Sequence, residues 1–354
     1  MSETYSSPQI TVMMPVYNTA PEFLQEAIKS VLSQTFTDFE FLILLSASPN
    51  GCEKMIREYS AKDNRIAVYE FAEDVLPAKK LNYGLRIARG KYIAYFDSDD
   101  ICHPQRLQRQ YAYMEEHSDA AALVSSSIQF NDQGEIVLSV PRCNDNEVLK
   151  VRMLFYGGAG ITSPTCFFRR SFIVEREISY EDKVAVAFDA DICSKIVYAG
   201  GRITALPESL LRYRVHNQHS DGNIDRRIAS QVVLRRLLQP LLGDLSDEEM
   251  RIHINVSVGI LPVDIMAFDR HIKRLVEANE RLGLYDKKIF EREVYSIWCT
   301  TILRTEIKNH MRGYLKSRYK WKIMLPSISG KILYYQVISK LQCRLANKAM
   351  SRSK

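Results

Sequence analysis

The chain reads as an α/β protein built on a mostly parallel sheet with helices on both faces, followed by a helical, basic C-terminal region. Strand-like and helical patterns alternate four times in the first hundred residues, the order that gives parallel strands joined by crossover helices. From Ile224 onward the periodicity is helical nearly throughout. Charge divides in the same sense. Lys308 to Lys354 holds twelve Lys or Arg and no Asp or Glu, which leaves 36 basic against 42 acidic residues before it. A boundary after Asp221-Gly222 gives domains 1–222 and 223–354.

The elements follow from local pattern. Ile10 to Met14 is a β-rich apolar run ending at Pro15 and predicts the first strand. Phe23, Leu24, Ala27, Ile28, Val31 and Leu32 have helical spacing, so Pro21 to Leu32 is a helix with Thr19 as a candidate cap. Phe39 to Leu45 is a buried strand, and Ser46-Ala47-Ser48-Pro49-Asn50-Gly51 is a loop by composition. Cys52 to Lys62 predicts a helix, Ile66 to Tyr69 a strand, and Lys79 to Arg89 a helix stopped by Gly90. Tyr92 to Phe96 is the next strand and Pro104 to His117 the next helix. Ala121 to Phe130 and Ile136 to Val140 form a hairpin about Asn131-Asp132-Gln133-Gly134. Val148 to Phe155 predicts a helix, Thr165 to Phe168 a short strand and Asp189 to Tyr198 a helix before Gly200-Gly201.

Composition narrows the class. Hydrophobic residues at 46% and charged residues at 25% are those of a soluble globular protein. No apolar stretch approaches the ~18 residues of a membrane span, and the polar N-terminus lacks signal-peptide character. Seven cysteines, an odd number with no C-x-x-C pair, argue for reduced thiols in a cytoplasmic compartment.

The most informative residues are Asp97-Ser98-Asp99-Asp100, placed where the strand from Tyr92 leaves the sheet. Ligands of α/β sheets bind at such strand ends. In an extended segment Asp97 and Asp99 point the same way, and together they suit one hard cation that bridges to substrate phosphates. The plain alternative is a polar turn capping the next helix.

The sequence also carries Met14-Pro15-Val16-Tyr17-Asn18, Ser33-Gln34-Thr35-Phe36-Thr37-Asp38-Phe39-Glu40, Asp63-Asn64-Arg65-Ile66, Leu81-Asn82-Tyr83-Gly84, Ala88-Arg89-Gly90-Lys91-Tyr92 and Pro104-Gln105-Arg106-Leu107. With the Asp97 to Ile101 block, in this order and spacing, they resemble the family 2 glycosyltransferases, inverting enzymes of GT-A fold that use nucleotide sugars. The resemblance covers about residues 8 to 220, most strongly to about 130. It implies Mn²⁺ or Mg²⁺ held by Asp97 and Asp99, with Asp99 the more direct ligand and Asp97 or Ser98 nearer the ribose. It implies Pro15, Val16 and Tyr17 around the nucleotide base. Lys79 and Lys80 would reach the diphosphate, or else form a solvated helix face. Inversion needs a base on the acceptor hydroxyl. The matching position is Asp189 in Phe188-Asp189-Ala190-Asp191-Ile192, with Asp191 the second choice and helix capping the plain alternative. Glu181-Asp182 is less well placed. In Leu211-Arg212-Tyr213-Arg214-Val215-His216, His216 would complete the metal shell or touch the diphosphate, with Arg214 beside it. The Q-x-x-R-W signature of processive synthases is absent, which favours one sugar per encounter.

One departure matters. Where the family ends its second strand with two Asp residues, this chain has Leu45-Ser46-Ala47-Ser48. Ser46 offers a neutral hydrogen bond to the base and no charge-assisted one. Another nucleotide, backbone recognition, or a catalytically silent scaffold subunit would each explain it, and the surviving Asp97, Asp99 and Asp189 favour an active enzyme with a UDP-sugar as the default donor. Nucleotidyl transfer lacks its glycine-rich phosphate loop. The acceptor implied by analogy is a glycan or lipid-linked glycan of cell-surface polysaccharide synthesis. In the basic tail, Tyr314 to Trp321 and Ile332 to Leu345 suit either a peripheral contact with an anionic membrane or a helix packed on the catalytic domain. No nucleic-acid recognition motif accompanies it.

Overall fold

A computed structural model describes residues 7–47, 50–73, 75–141, 145–156, 160–184, 187–215, 226–258 and 265–304. His216, the Asp221-Gly222 boundary and the basic tail from Lys308 lie outside them. The chain divides into two compact units, Met1–Leu237 and Leu238–Lys354.

The first unit runs β1 (Ile10–Val16), α1 (Pro21–Leu32), β2 (Phe39–Ser46), α2 (Cys52–Ser60), β3 (Ile66–Phe71), α3 (Pro77–Ile87) and β4 (Tyr92–Tyr95). It continues with β5 (Ile101–Cys102), α4 (Arg106–Glu116), β6 (Ala120–Asn131), β7 (Gly134–Ser139), α5 (Asn146–Tyr156), β8 (Phe167–Arg169), α6 (Arg170–Glu175), α7 (Phe188–Tyr198) and β9 (Arg202–Arg214). Helix α8 (Arg226–Leu242) contains the division between the units. Among the described residues nine strands form one sheet, in the order β3-β2-β1-β4-β8-β6-β9-β5 with β7 beside β6. The β3-β2-β1-β4 half is parallel throughout. Beyond β4 the sheet is mixed, because β8 enters antiparallel to both β4 and β6.

Strand alternation sorts the two faces. Ile10, Val12, Met14 and Val16 of β1 and Phe41, Ile43 and Leu45 of β2 pack with Leu24, Ile28 and Val31 of α1, Ile56 of α2 and Leu107 and Met114 of α4. The opposite face carries α3. A Cβ on Gly84 would lie 2.4 Å from Met13 Sδ and 2.7 Å from Leu44 Cδ1, so only glycine lets α3 approach β1 and β2 this closely.

Several of the sequence blocks named above are structural fasteners. Buried Glu40 accepts hydrogen bonds from Thr11 Oγ1 (2.6 Å), the Arg89 amide (2.8 Å) and Arg89 Nε (2.6 Å). A Cβ on Gly90 would stand 2.3 Å from the Thr11 nitrogen. Asp63 accepts from the Arg65 amide and guanidinium, and Arg65 donates on to the Leu32 carbonyl at the end of α1 (3.1 Å). Gln34 accepts from the Leu107 amide in the first turn of α4 (3.0 Å) and donates to the His103 carbonyl (2.8 Å), meeting backbone groups that a helix start leaves open.

One local expectation differs from what is found. Helix α1 is entered through Ala20, with no side-chain cap, because the Thr19 hydroxyl bonds Ser98 instead. Strand β9 is thirteen residues long, although Pro207 and Glu208 interrupt any strand pattern. Pro cannot donate to a ladder, and the register against β6 jumps from Ser125↔Leu206 to Ser126↔Ser209, which leaves Pro207 and Glu208 out of the pairing.

The second unit contains α9 (Asp247–Val258), α10 (Ile265–Leu282) and α11 (Lys287–Arg304). Its fully buried Trp298 donates Nε1–H to Asp269 (2.5 Å). His253 and His271 are buried with Nδ1 and Nε2 2.8 Å apart, and burial pushes the His271 pKa down to about 4. The unfolded chain therefore takes up a proton near pH 6.5 that the folded unit refuses. Stability of this unit is expected to be unaffected by His271 above pH 6.5 and to fall by about 1.4 kcal/mol per pH unit as pH drops from there toward 4. Denaturant titrations at stepped pH check this, with His271→Gln expected to flatten the dependence.

Candidate active site

The loops leaving β1, β2 and β4 meet at the carboxyl edge of the sheet. Ser98 and Thr19 hydroxyls are 2.6 Å apart, and the Thr19 carbonyl accepts from Asn50 Nδ2 (2.5 Å). Asn50 Oδ1 in turn takes the Cys52 amide that opens α2 (3.3 Å). One hydrogen-bonded chain thus ties the three strand ends together.

The Asp97–Asp100 segment is not extended. An Asp100 amide to Asp97 carbonyl bond of 3.4 Å closes a turn over Ser98 and Asp99. The turn sends Asp100 inward and leaves Asp97 and Asp99 half-buried. Asp100 is fully buried, accepts the Arg214 amide at 2.8 Å, and has Oδ2 without a partner among the described residues. Burial, with Asp97 and Asp99 beside it, pushes its carboxyl far above the usual range. Burial also raises Asp97, to about 7, with help from the charges of Asp99 and Asp189 and against a 2.7 Å bond from the Tyr95 hydroxyl and the charge of Arg106.

Two arginines support this turn from behind. Fully buried Arg106 donates to the Tyr95 carbonyl (2.9 Å), Gln110 Oε1 (3.1 Å) and Cys102 Sγ (3.4 Å). Arg214 lies between the rings of Phe23 (4.1 Å) and Phe130 (4.6 Å) and donates to the Asp99 carbonyl (2.9 Å) and Glu26 (2.5 Å). Its guanidinium holds the loop.

The start of α7 comes within electrostatic reach of Asp97. Asp189 lies in the first helical turn, half-buried, its Oδ1 accepting the Ala190 amide at 2.8 Å. The helix is entered through Ala187, so Asp189 is not its cap residue. Asp191 differs sharply. It is fully buried and bound by Arg236 (2.6 Å), Lys195 (3.1 Å) and the Glu181 amide (2.6 Å). Asn82 grips the same region by bonding both the amide (2.7 Å) and the carbonyl (2.8 Å) of Tyr180.

At the end of β1, Tyr17 is 48% exposed, whereas the Val16 side chain belongs to the core. Pro15 is half-buried on β1. Lys79 faces solvent, and Lys80 is buried with Nζ 5.3 Å from the Tyr17 ring centre. Ser46, at the end of β2, is fully buried with its hydroxyl unpartnered among the described residues.

Residues 11–176 match the model of glycosyl transferase family 2. MJ1057 of Methanocaldococcus jannaschii, a glycosyltransferase, is 30% identical over 213 residues, which cover 60% of this chain and 72% of that one. The chain belongs to glycosyl transferase family 2. WbnJ of Escherichia coli, an O-antigen biosynthesis glycosyltransferase, is 29% identical over 59% of this chain and 80% of its own. In fold the transferase is similar to Staphylococcus aureus TarS 1–349 solved with UDP-GlcNAc, at a TM-score of 0.57 and 18% identity over 86% of this chain and 92% of that one. A mannosyltransferase of Pyrobaculum calidifontis, solved with GDP-Man and Mn²⁺, has a TM-score of 0.52 at 17% identity over 85% of this chain and 89% of that one. The fold is thus of GT-A type, with a helical C-terminal region.

A divalent cation is chemically suited to this transferase's Asp97–Asp99 pair. Both side chains offer carboxylate oxygens near a strand end, and burial beside like charges disfavours the anionic Asp97 in the absence of a nearby positive charge. Among the described residues no group of three or more His, Cys, Asp or Glu could hold a metal. Mg²⁺-type sites commonly use only one or two carboxylates, with substrate phosphates and water completing the shell.

Tyr95, Arg106, Thr19 and Asn50 had no predicted part in the site. Tyr95 had a readable signal, since it lies two residues before Asp97 and so on the same face of the strand.

Proposed function

We propose that the transferase moves a sugar from a nucleotide-diphosphate donor, a UDP-sugar by default, to a glycan or lipid-linked glycan acceptor with inversion at the anomeric carbon. The observation that carries this reading is that the charges of Asp99 and Asp189 both bear on Asp97 at the end of β4, while Asp191 is locked into an ion-paired core. Asp189 accepts the proton of the acceptor hydroxyl. The acceptor oxygen then bonds to the anomeric carbon as the bond from that carbon to the diphosphate oxygen breaks, and the nucleoside diphosphate departs. Asp97 and Asp99, with His216 as a further ligand, would hold Mn²⁺ or Mg²⁺, which would supply charge stabilisation to that leaving group. Ser98 and Asp97 position the ribose, Pro15, Tyr17, Ser46 and the backbone at Val16 the base, and Lys79 the diphosphate.

UDP-GlcNAc and GDP-Man in the neighbouring structures support a nucleotide sugar as donor. WbnJ, and the teichuronic acid biosynthesis glycosyltransferase TuaG of Bacillus subtilis, 31% identical over 125 residues, support a cell-surface polysaccharide as product. The catalytic domain of this reading is residues 1–222, in the cytoplasm. The basic region from Lys308 meets anionic lipid at the inner membrane face. No helix among the described residues is long and apolar enough to cross a membrane. NMR of the product tests the stereochemistry, with an α-linked donor expected to give a β-linked product. Retention of configuration would contradict the role given to Asp189.

A further inference from the structure

We propose that Tyr95 is a positioning residue of the nucleotide-sugar site, its buried hydroxyl fixing the orientation of the Asp97 carboxylate. The inference deepens the function proposed above and rests on it. Tyr95 is only 4% exposed and its Oη donates to Asp97 Oδ1 at 2.7 Å. Asp97 Oδ2 takes no hydrogen bond among the described residues, so one oxygen is anchored and the other is left for a ligand. A buried hydroxyl without water to compete makes a strong bond to a charged acceptor.

The donor is itself immobile. The Tyr95 amide bonds the Cys166 carbonyl (3.1 Å), its carbonyl accepts from Arg106 (2.9 Å), and the next amide, Phe96, bonds the Met13 carbonyl (3.0 Å). These three backbone contacts hold the last turn of chain before Asp97 whatever the side chain at 95. Phenylalanine would occupy the same volume and keep all of them. It would remove only the hydroxyl. The phenol is also within electrostatic reach of Asp99 and of Tyr180, whose backbone Asn82 secures.

The test is calorimetric titration of the full chain with UDP and Mn²⁺, in a cycle of wild type, Tyr95→Phe, Asp97→Asn and the double variant, with a thermal melt of each apo protein. Tyr95→Phe is expected to weaken Mn²⁺-dependent UDP binding about tenfold, the cost of one hydrogen bond to a charged group, and to leave the melting temperature unchanged. In the Asp97→Asn variant, where the acceptor is neutral, the same change is expected to cost less than about threefold. Wild-type binding by Tyr95→Phe would overturn the inference. So would an equal loss in both backgrounds, or a loss matched by a fall in melting temperature, since either marks a general structural role. Absence of binding by wild type to UDP, and equally to GDP, CDP and dTDP, would overturn the nucleotide-sugar reading and this inference with it.

Discussion

Asp189→Asn is expected to lower kcat about 10²- to 10⁴-fold, the usual contribution of a positioned general base, while nucleotide and Mn²⁺ affinity stay near wild type. The amide keeps the oxygen that accepts the Ala190 amide, so that hydrogen bond at the helix start survives while proton acceptance is lost. Asp191→Asn is the informative contrast. Asp191 is fully buried and holds Arg236, Lys195 and the Glu181 amide, and its replacement should lower the melting temperature and leave kcat of the folded fraction largely intact. Steady-state kinetics beside calorimetric affinities separates the two. If Asp191→Asn alone removed kcat at unchanged stability, the roles assigned to these residues would be reversed.

Arg106→Leu is expected to destabilise the first unit by about 3–5 kcal/mol, the range for removing one partner from a buried charge network. The melting temperature should fall on the order of 10 °C. Arg106 is fully buried, and the Tyr95 carbonyl and Gln110 depend on it for their hydrogen bonds. It also supplies positive charge close to Asp97 and Asp100, the two carboxyls that burial already disfavours as anions. Leucine has similar bulk near the backbone and meets none of these demands. Arg106→Lys restores charge without the forked geometry and should recover only part of the loss. Circular dichroism melts of the three proteins decide this.

Those two positions show what could be read from sequence and what could not. The parallel half of the sheet was legible, because β1, β2 and β4 are short apolar runs and α1 and α4 carry an apolar stripe. The carboxylates Asp97 and Asp99 were legible too, as charge placed where an apolar strand ends. Their conformation was not. The turn over Ser98 and Asp99 depends on Asp100 turning inward to the Arg214 amide, a partner 114 residues away. The choice between Asp189 and Asp191 is left open by their spacing, and the separation seen here comes from Arg236, 45 residues beyond Asp191. Strand β8 is three residues long and is inserted between β4 and β6 by long-range pairing. Strand β9 hides behind Pro207, which an irregular register accommodates. Arg106 stood in a recognised block without a role, since arginine is seldom fully buried and nothing local announces its partners.

The most direct test of the account is calorimetric titration of the full chain with UDP, GDP, CDP and dTDP, each with and without Mn²⁺, repeated with Asp99→Ala. An active, metal-assisted sugar transferase predicts that one nucleotide binds in the presence of Mn²⁺ and that Asp99→Ala weakens this binding at least about tenfold, as expected when a charged ligand contact is removed. A folded protein that binds none of the four nucleotides, or that binds one with the same affinity regardless of Mn²⁺ and Asp99, would contradict it.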